Sequence, residues 1–203
     1  GDAVAVVFSA PVIQEDHMQR AFNCAMEMHA FARQYAADLQ VKGVPFGNTR
    51  IGVHAGEVIV GNFGGSTMFD YRALGDPVNT AARLESVNKH LGTWICVSEV
   101  VYQGCANMVA RPIGRLLLKG KKLPLMVYEP VTQGDTIARV PLQAYQAVYE
   151  QLAAQRVAGI ASDALLAELN RLAQTYPDDP LVRLHLDRLN RGEVGDEIVM
   201  AEK

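Results

Sequence analysis

Asn79 and Arg83 are the residues of this chain whose types and spacing most readily suggest chemistry. They lie four apart in the run GDPVNTAARLESVNKHLG, residues 75–92. On a helix that spacing puts both side chains on one face. An amide and a guanidinium projecting together suit a phosphate or another oxyanion. The N-terminus of a helix, with its unpaired N–H groups and partial positive charge, favours the same ligand. The spacing alone also describes a solvent-exposed arginine beside a local amide. Other polar residues stand out by type. Asp2 follows Gly1 as ordinary turn chemistry. His54 sits in a His54-Ala55-Gly56 turn, where a base or a structural role would fit. Lys119, Lys121 and Lys122 surround Gly120 in what reads as a solvated turn.

The helix that must carry the pair is well marked. Asp76 can cap it by accepting from the first-turn N–H groups, and Pro77 suits the first helical position. Ala81, Leu84, Val87 and Leu91 recur at helical spacing, and Gly92 is a stop signal. Upstream, the run AVAVVF from Ala3 to Phe8 predicts an apolar strand in the middle of a sheet. Asp16 predicts the cap of a helix reaching Leu39, with Ala21, Ala25, Met28, Ala32, Tyr35 and Leu39 on its apolar face. His17 and His29 fall on its surface or boundary. RIGVHAGEVIVGNF, residues 50–63, predicts two strands around the His54 turn. Strands follow at Phe69 to Leu74 and Trp94 to Val97, then a short helix capped by Ser98. Residues 111–130, RPIGRLLLKGKKLPLMVYEP, predict a hairpin turning at Gly120.

Past the polar stretch Thr132 to Asp135 the pattern becomes purely helical. Leu142, Tyr145, Val148, Tyr149 and Leu152 mark one helix. Leu165, Leu166, Leu169 and Leu172 mark a second, capped by Ser162, and Leu181, Leu184, Leu186 and Leu189 a third that stops near Gly192. The break at Tyr176 to Pro180 faintly resembles a tetratricopeptide-type hairpin, but no period repeats. This segment reads as a small helical cap or partner-binding appendage. Gly195 to Lys203 either docks back or stays mobile.

Composition narrows the classes. The 203 residues suffice for one medium domain plus an appendage. A net charge of −3 lacks the electrostatic footprint of nucleic-acid binding. No run approaches the roughly 20 apolar residues of a membrane span. Cys24, Cys96 and Cys105 have no metal-type spacing and read as reduced thiols in a cytoplasmic setting. The chain opens on Gly1-Asp2 and an apolar run, without an initiator methionine, which suggests the C-terminal part of a longer protein.

The string G-D-P-V-N-T-A-A-R-L-E resembles the signature helix of class III nucleotidyl cyclases, the adenylate and guanylate cyclases. G-D-A-V-A-V-V-F-S-A-P, from Gly1, is similar to the family's second metal motif, and G-V-H-A-G-E-V-I-V-G to another common family run. L-L-L-K-G-K-K-L-P-L-M-V-Y, residues 116–128, is similar to its triphosphate-binding hairpin. The resemblance spans about residues 1–131. It implies an α+β fold with a ferredoxin-like cyclase core, mainly antiparallel, covered by helices and followed by the all-α appendage at 132–203. It implies that Asn79 orients the ribose, that Arg83 stabilises the pentavalent phosphorus and that Lys119 contacts the triphosphate. Asp2 would hold two Mg²⁺ or Mn²⁺ ions with a second Asp lying upstream, as does a purine-contacting lysine. His54 would be structural. Arg72 stands where the family carries an Asp or Thr that helps to read the purine. An arginine only donates, so it could meet a guanine O6 or a phosphate but could not accept from an adenine amino group.

The function so implied is an adenylate cyclase. The ribose 3′-OH of ATP attacks the α-phosphorus in line, giving 3′,5′-cyclic AMP and pyrophosphate as a second messenger. A guanylate cyclase acting on GTP, or a catalytically silent cyclase-fold dimerisation module, are the alternatives. The family pairs head to tail, so a homodimer would mix Asp2 of one protomer with Asn79, Arg83 and Lys119 of its partner. A sensor or membrane domain upstream and a cytoplasmic location are expected. Lacking half of its metal site, the 203-residue chain alone is expected to be inactive.

Overall fold

The computed structural model describes residues 3–65, 68–132, 137–160 and 162–200. Asp2 lies outside the described residues, as do residues 133–135 of the linker expected at 132–135. The elements run α1 (His17–Val41), β1 (Ile51–Val53), β2 (Ile59–Gly65), β3 (Met68–Leu74), α2 (Asp76–Leu91), β4 (Ile95–Ser98) and α3 (Glu99–Gln103). They continue with β5 (Ala110–Leu117), β6 (Leu125–Pro130), α4 (Leu142–Ala158), α5 (Asp163–Thr175), α6 (Pro180–Asn190) and β7 (Glu197–Val199).

A mixed sheet in the order β1-β4-β6-β5-β7 forms the centre, and β2 and β3 form a separate hairpin. β4–β6 and β5–β6 pair antiparallel, while β1–β4 and β5–β7 are parallel. Successive strand residues point to opposite faces, and β4 shows the result. Ile95 and Val97 join a cluster with Phe22 and Ala25 of α1, whereas Cys96 between them joins the cluster of Leu84, Val87 and Leu91 from α2. The second cluster continues through Ile113 and Leu116 of β5 into Tyr145, Leu152, Leu165, Leu169 and Leu181 of the C-terminal helices. The sheet and those helices therefore share one apolar interior.

Gly52 fixes how closely α2 lies on β1. A Cβ there would stand 2.2 Å from the Ala81 carbonyl oxygen and 2.3 Å from the Glu85 nitrogen. Asn88 fastens the same contact, donating to the carbonyl oxygens of Ile51 at 3.0 Å and Leu84 at 2.9 Å while Thr93 donates to its Oδ1.

Several expectations change. Among the described residues, 3–7 pair with no strand, and Val4 is 78% exposed. An apolar run reports a demand for burial but does not name the backbone that would complete the ladder. β1 and β2 flank the His54 turn but belong to different sheets. Asp16 stands at the start of α1 without capping it, because its carboxylate accepts from Arg20 one turn on at 2.6 Å. The buried stripe of α1 is Phe22, Ala25, His29 and Ala36, so His29 is interior and Tyr35 is exposed. The three C-terminal helices form, with Ser162 Oγ accepting from the Leu165 amide at 3.4 Å. Glu197–Val199 dock as β7 against β5.

Candidate active site

α2 brings Asn79 and Arg83 to the same side of its first two turns. Gly75, not Asp76, occupies the cap position, with φ 151° and ψ 167°, a conformation that only glycine adopts readily. Asp76 thereby moves into the first turn, where its charge still complements the helix end. Gly92 closes the helix in the left-handed conformation, as the sequence predicts. Inward-facing Thr80 and Leu84 are buried, while Asn79 is exposed and Arg83 half-buried.

The turn between β5 and β6 lies against this helix. Lys121 donates its amide to the Leu118 carbonyl oxygen at 2.9 Å, closing the turn around Lys119 and Gly120. Arg83 Nη2 stands 3.7 Å from the position a Cβ on Gly120 would take. Arg83 therefore lies against the turn that carries Lys119, 36 residues further along the chain. Lys121 Nζ forms an ion pair with the Asp76 carboxylate. That hydrogen bond, joined by the positive charges of Lys121 and Arg83, holds the Asp76 carboxyl below the usual carboxylate range. The sequence marks Lys121 only as part of a solvated turn. A pairing across 45 residues leaves no local signal, and Asp76 reads in the sequence only as a helix cap.

His54 stands behind this edge. Its Nδ1 lies 2.9 Å from Ser98 Oγ, so Ser98 engages the imidazole instead of capping α3. Burial, reinforced by the Lys121 charge, lowers the His54 pKa and keeps the ring neutral. A neutral, half-buried ring held by a neighbouring hydroxyl fits the structural role. Arg72 lies on the exposed β3 and pairs with Asp70 two residues away. The two side chains share one face of the strand, so the guanidinium is engaged by its own hairpin. The three cysteines are free thiols, and burial pushes the Cys96 thiol up.

Among the described residues no group of three His, Cys, Asp or Glu side chains could hold a metal ion. The carboxylate that the family resemblance assigns to metal, Asp2, lies outside them. The described surface offers cationic and amide donors suited to phosphate oxygens.

The family model for the adenylate and guanylate cyclase catalytic domain matches residues 1–129. The chain belongs to this family. Adenylate cyclase 1 of Rhizobium meliloti (strain 1021) is 36% identical over 132 residues, covering 64% of this chain and 20% of that protein. Guanylate cyclase soluble subunit beta-2 of Rattus norvegicus is 42% identical over 86 residues, 42% of this chain and 12% of that protein. The chain thus spans about a fifth or less of the length of these two relatives. Among solved cyclases, the adenylyl cyclase CyaB from P. aeruginosa superposes with a TM-score of 0.56 at 25% identity, over 64% of this chain and 68% of that one. The guanylyl cyclase Cya2 superposes with a TM-score of 0.50 at 26% identity, over 66% and 68%. The α+β cyclase core read from the signature helix is the fold observed, with additional helices beyond the family match.

Proposed function

We propose that the chain supplies the phosphate-facing half of an adenylate cyclase site, converting ATP to 3′,5′-cyclic AMP and pyrophosphate. The observation that carries this reading is the meeting of Arg83 with the Lys119-Gly120-Lys121 turn at the start of α2. As the ribose 3′-oxygen bonds to the α-phosphorus, it loses its proton and the bond to the bridging oxygen of pyrophosphate breaks. Negative charge builds on the phosphorus oxygens and on the departing pyrophosphate. Arg83 opposes the first and Lys119 the second, from fixed positions in which donors are most effective. Asn79, exposed on the same side of α2, orients the ribose.

The rest of the site comes from a second protomer in a head-to-tail homodimer, to which Asp2 contributes a carboxylate for Mg²⁺ or Mn²⁺. Those ions would supply Lewis acidity and lower the pKa of the attacking hydroxyl. ATP is preferred because the Rhizobium meliloti relative matched over 132 residues is named an adenylate cyclase. GTP is the second reading. It rests on Arg72, which offers only donors at the purine-reading position, although Asp70 already engages it. We place the domain in the cytoplasm, where its nucleotide is found.

Product analysis of the full-length protein with Mn²⁺ tests both readings. Cyclic AMP and pyrophosphate in equal amounts from ATP support the proposal. Cyclic GMP from GTP alone transfers it to the guanylate cyclases. No cyclic product from either nucleotide, in a folded dimer, makes the domain a regulatory module.

A further inference from the structure

The family match ends at residue 129, yet the chain continues through three helices and a strand whose role the cyclase reading leaves open. We infer that this C-terminal segment is a brace that positions Lys119, with β7 as its contact and Arg188 and Asp196 as positioning residues. The inference rests on the cyclase reading for what Lys119 does, and on the geometry for what holds it.

β7 pairs in parallel with the last part of β5, Arg115 with Glu197, Leu116 with Ile198 and Leu117 with Val199. The final rung, the Met200 amide to the Leu117 carbonyl oxygen at 3.2 Å, lies two residues before Lys119. A three-residue strand would fray by itself. This one is held at its base by buried side chains. Arg188, 2% exposed, donates Nη1 to the Gly195 carbonyl oxygen at 3.0 Å, Nη2 to that of Glu197 and Nε to the Glu193 carboxylate at 3.0 Å. Asp196, also 2% exposed, accepts from Tyr149 Oη at 2.8 Å and pairs with Arg156 at 3.0 Å, both on α4. Its carbonyl oxygen accepts from the Arg115 amide at 2.8 Å. Gly195 permits the approach. Its φ is 81°, and a Cβ would stand 2.7 Å from the Arg156 Cα.

The other end of β5 is tied to the same segment. Arg111, 2% exposed, bridges Glu129 of β6 at 2.7 Å and Asp179 at the start of α6 at 2.6 Å. Asp179 also caps α6 through the Leu181 amide and accepts from the Val140 amide. Thus β5 is tied to the C-terminal segment near its first residue, through Arg111 and Asp179, and at its last, through β7, and the strand leads straight into Lys119. The turn itself is held to α2 by the Lys121–Asp76 pair. A conformational change in the helices would reach the phosphate-binding turn through β7.

The proline variants Met200→Pro and Val199→Pro test this. In a parallel ladder alternate amides of a strand face the neighbour, so the Met200 amide faces β5 and the Val199 amide faces away. Met200→Pro removes the final rung together with a side chain that packs against the core, so Met200→Ala controls for the side chain and Val199→Pro for the ring. Hydrogen exchange followed by NMR on the 203-residue chain reads the Lys121 amide, and calorimetry compares ATP with AMP. Met200→Pro should speed exchange at Lys121 by about threefold to tenfold, the value of one backbone hydrogen bond. It should weaken ATP by a similar factor and leave AMP unchanged, because AMP lacks the phosphates that Lys119 meets. Val199→Pro should change neither. Arg188→Lys, which loosens the base of the strand while keeping its charge, should shift both readings in the direction of Met200→Pro. Unchanged exchange in Met200→Pro overturns the brace. Faster exchange with equal loss of ATP and AMP affinity overturns the positioning role and leaves a stability effect. An unmodified protein that binds ATP no better than AMP contradicts Lys119 as a triphosphate ligand, whatever the exchange shows.

Discussion

At the scale of single residues, the account rests on charges placed where charge develops. Arg83 and Lys119 have different tasks, and their substitutions should separate them. Arg83→Ala should fold normally, since the side chain is half-buried on the outer part of α2, and should lower kcat by roughly 10²–10³. A rate within a few-fold of the unmodified protein would remove Arg83 from the mechanism. Lys119→Met removes a charge-assisted contact to the triphosphate and should lower kcat/KM by about 10–100-fold. Pyrophosphate inhibition measured beside it should weaken in step. The placement of Asn79 and Arg83 on one side of α2, and of Lys119 in the β5–β6 turn, was legible in the sequence from helical spacing and from the glycine of the turn. Lys121 and Asp76 were not legible as a pair, since the fold alone brings the β5–β6 turn to the helix. The Arg72–Asp70 pair was within reach, because residues two apart on a strand share a face.

At the scale of elements, what was legible followed local periodicity. α2 was readable almost to the residue, from its 3.6-residue period and the glycine behind it, and the C-terminal helices were readable for the same reason. Strand partners were not. The runs around His54 signalled a turn, but which sheet each strand joined depended on non-local pairing. Residues 3–7 carry a strand's composition without a ladder among the described residues. β7 is three residues long and no pattern could announce it. The close approach of α2 to β1 gives the element-scale prediction. Gly52→Ala would press a methyl group onto the backbone of Ala81 and Glu85, which cannot swing aside as a flexible side chain could. It should cost about 1–3 kcal/mol or more in urea unfolding. It should also disturb Arg83, two residues along α2 from the contact, and so lower turnover further than the stability loss explains. Unchanged stability would mean that α2 does not lie as close as described.

At the scale of the whole molecule, the continuous core makes the helical segment part of the cyclase body, and its buried polar groups set how that body responds to acid. His185 is fully buried, with Nε2 3.2 Å from the Tyr145 hydroxyl. Burial, and then the charges of Arg188 and Arg111, push its pKa down to about 3. In the unfolded chain a histidine titrates near 6.5. Below that value the unfolded state takes up a proton that the folded state refuses, so stability falls as pH drops from about 6.5 toward 3 and is insensitive to this group above 6.5. Replacing the imidazole by a group that does not titrate, as in His185→Gln, should flatten the decline of the urea midpoint between about pH 6.5 and 4.5. Parallel declines in the two proteins would assign the acid sensitivity elsewhere.

The central claim is a shared site in which Arg83 of one protomer works on a nucleotide held with Asp2 of its partner. Mixing two inactive full-length variants, Arg83→Ala and Asp2→Asn, tests it most directly, with cyclic AMP formation as the reading. Half of the re-assorted dimers would carry one variant of each kind and so one intact site of two. The predicted rate is therefore about a quarter of that of the unmodified protein. A mixture as inactive as its components, beside an active unmodified protein, would contradict the shared site.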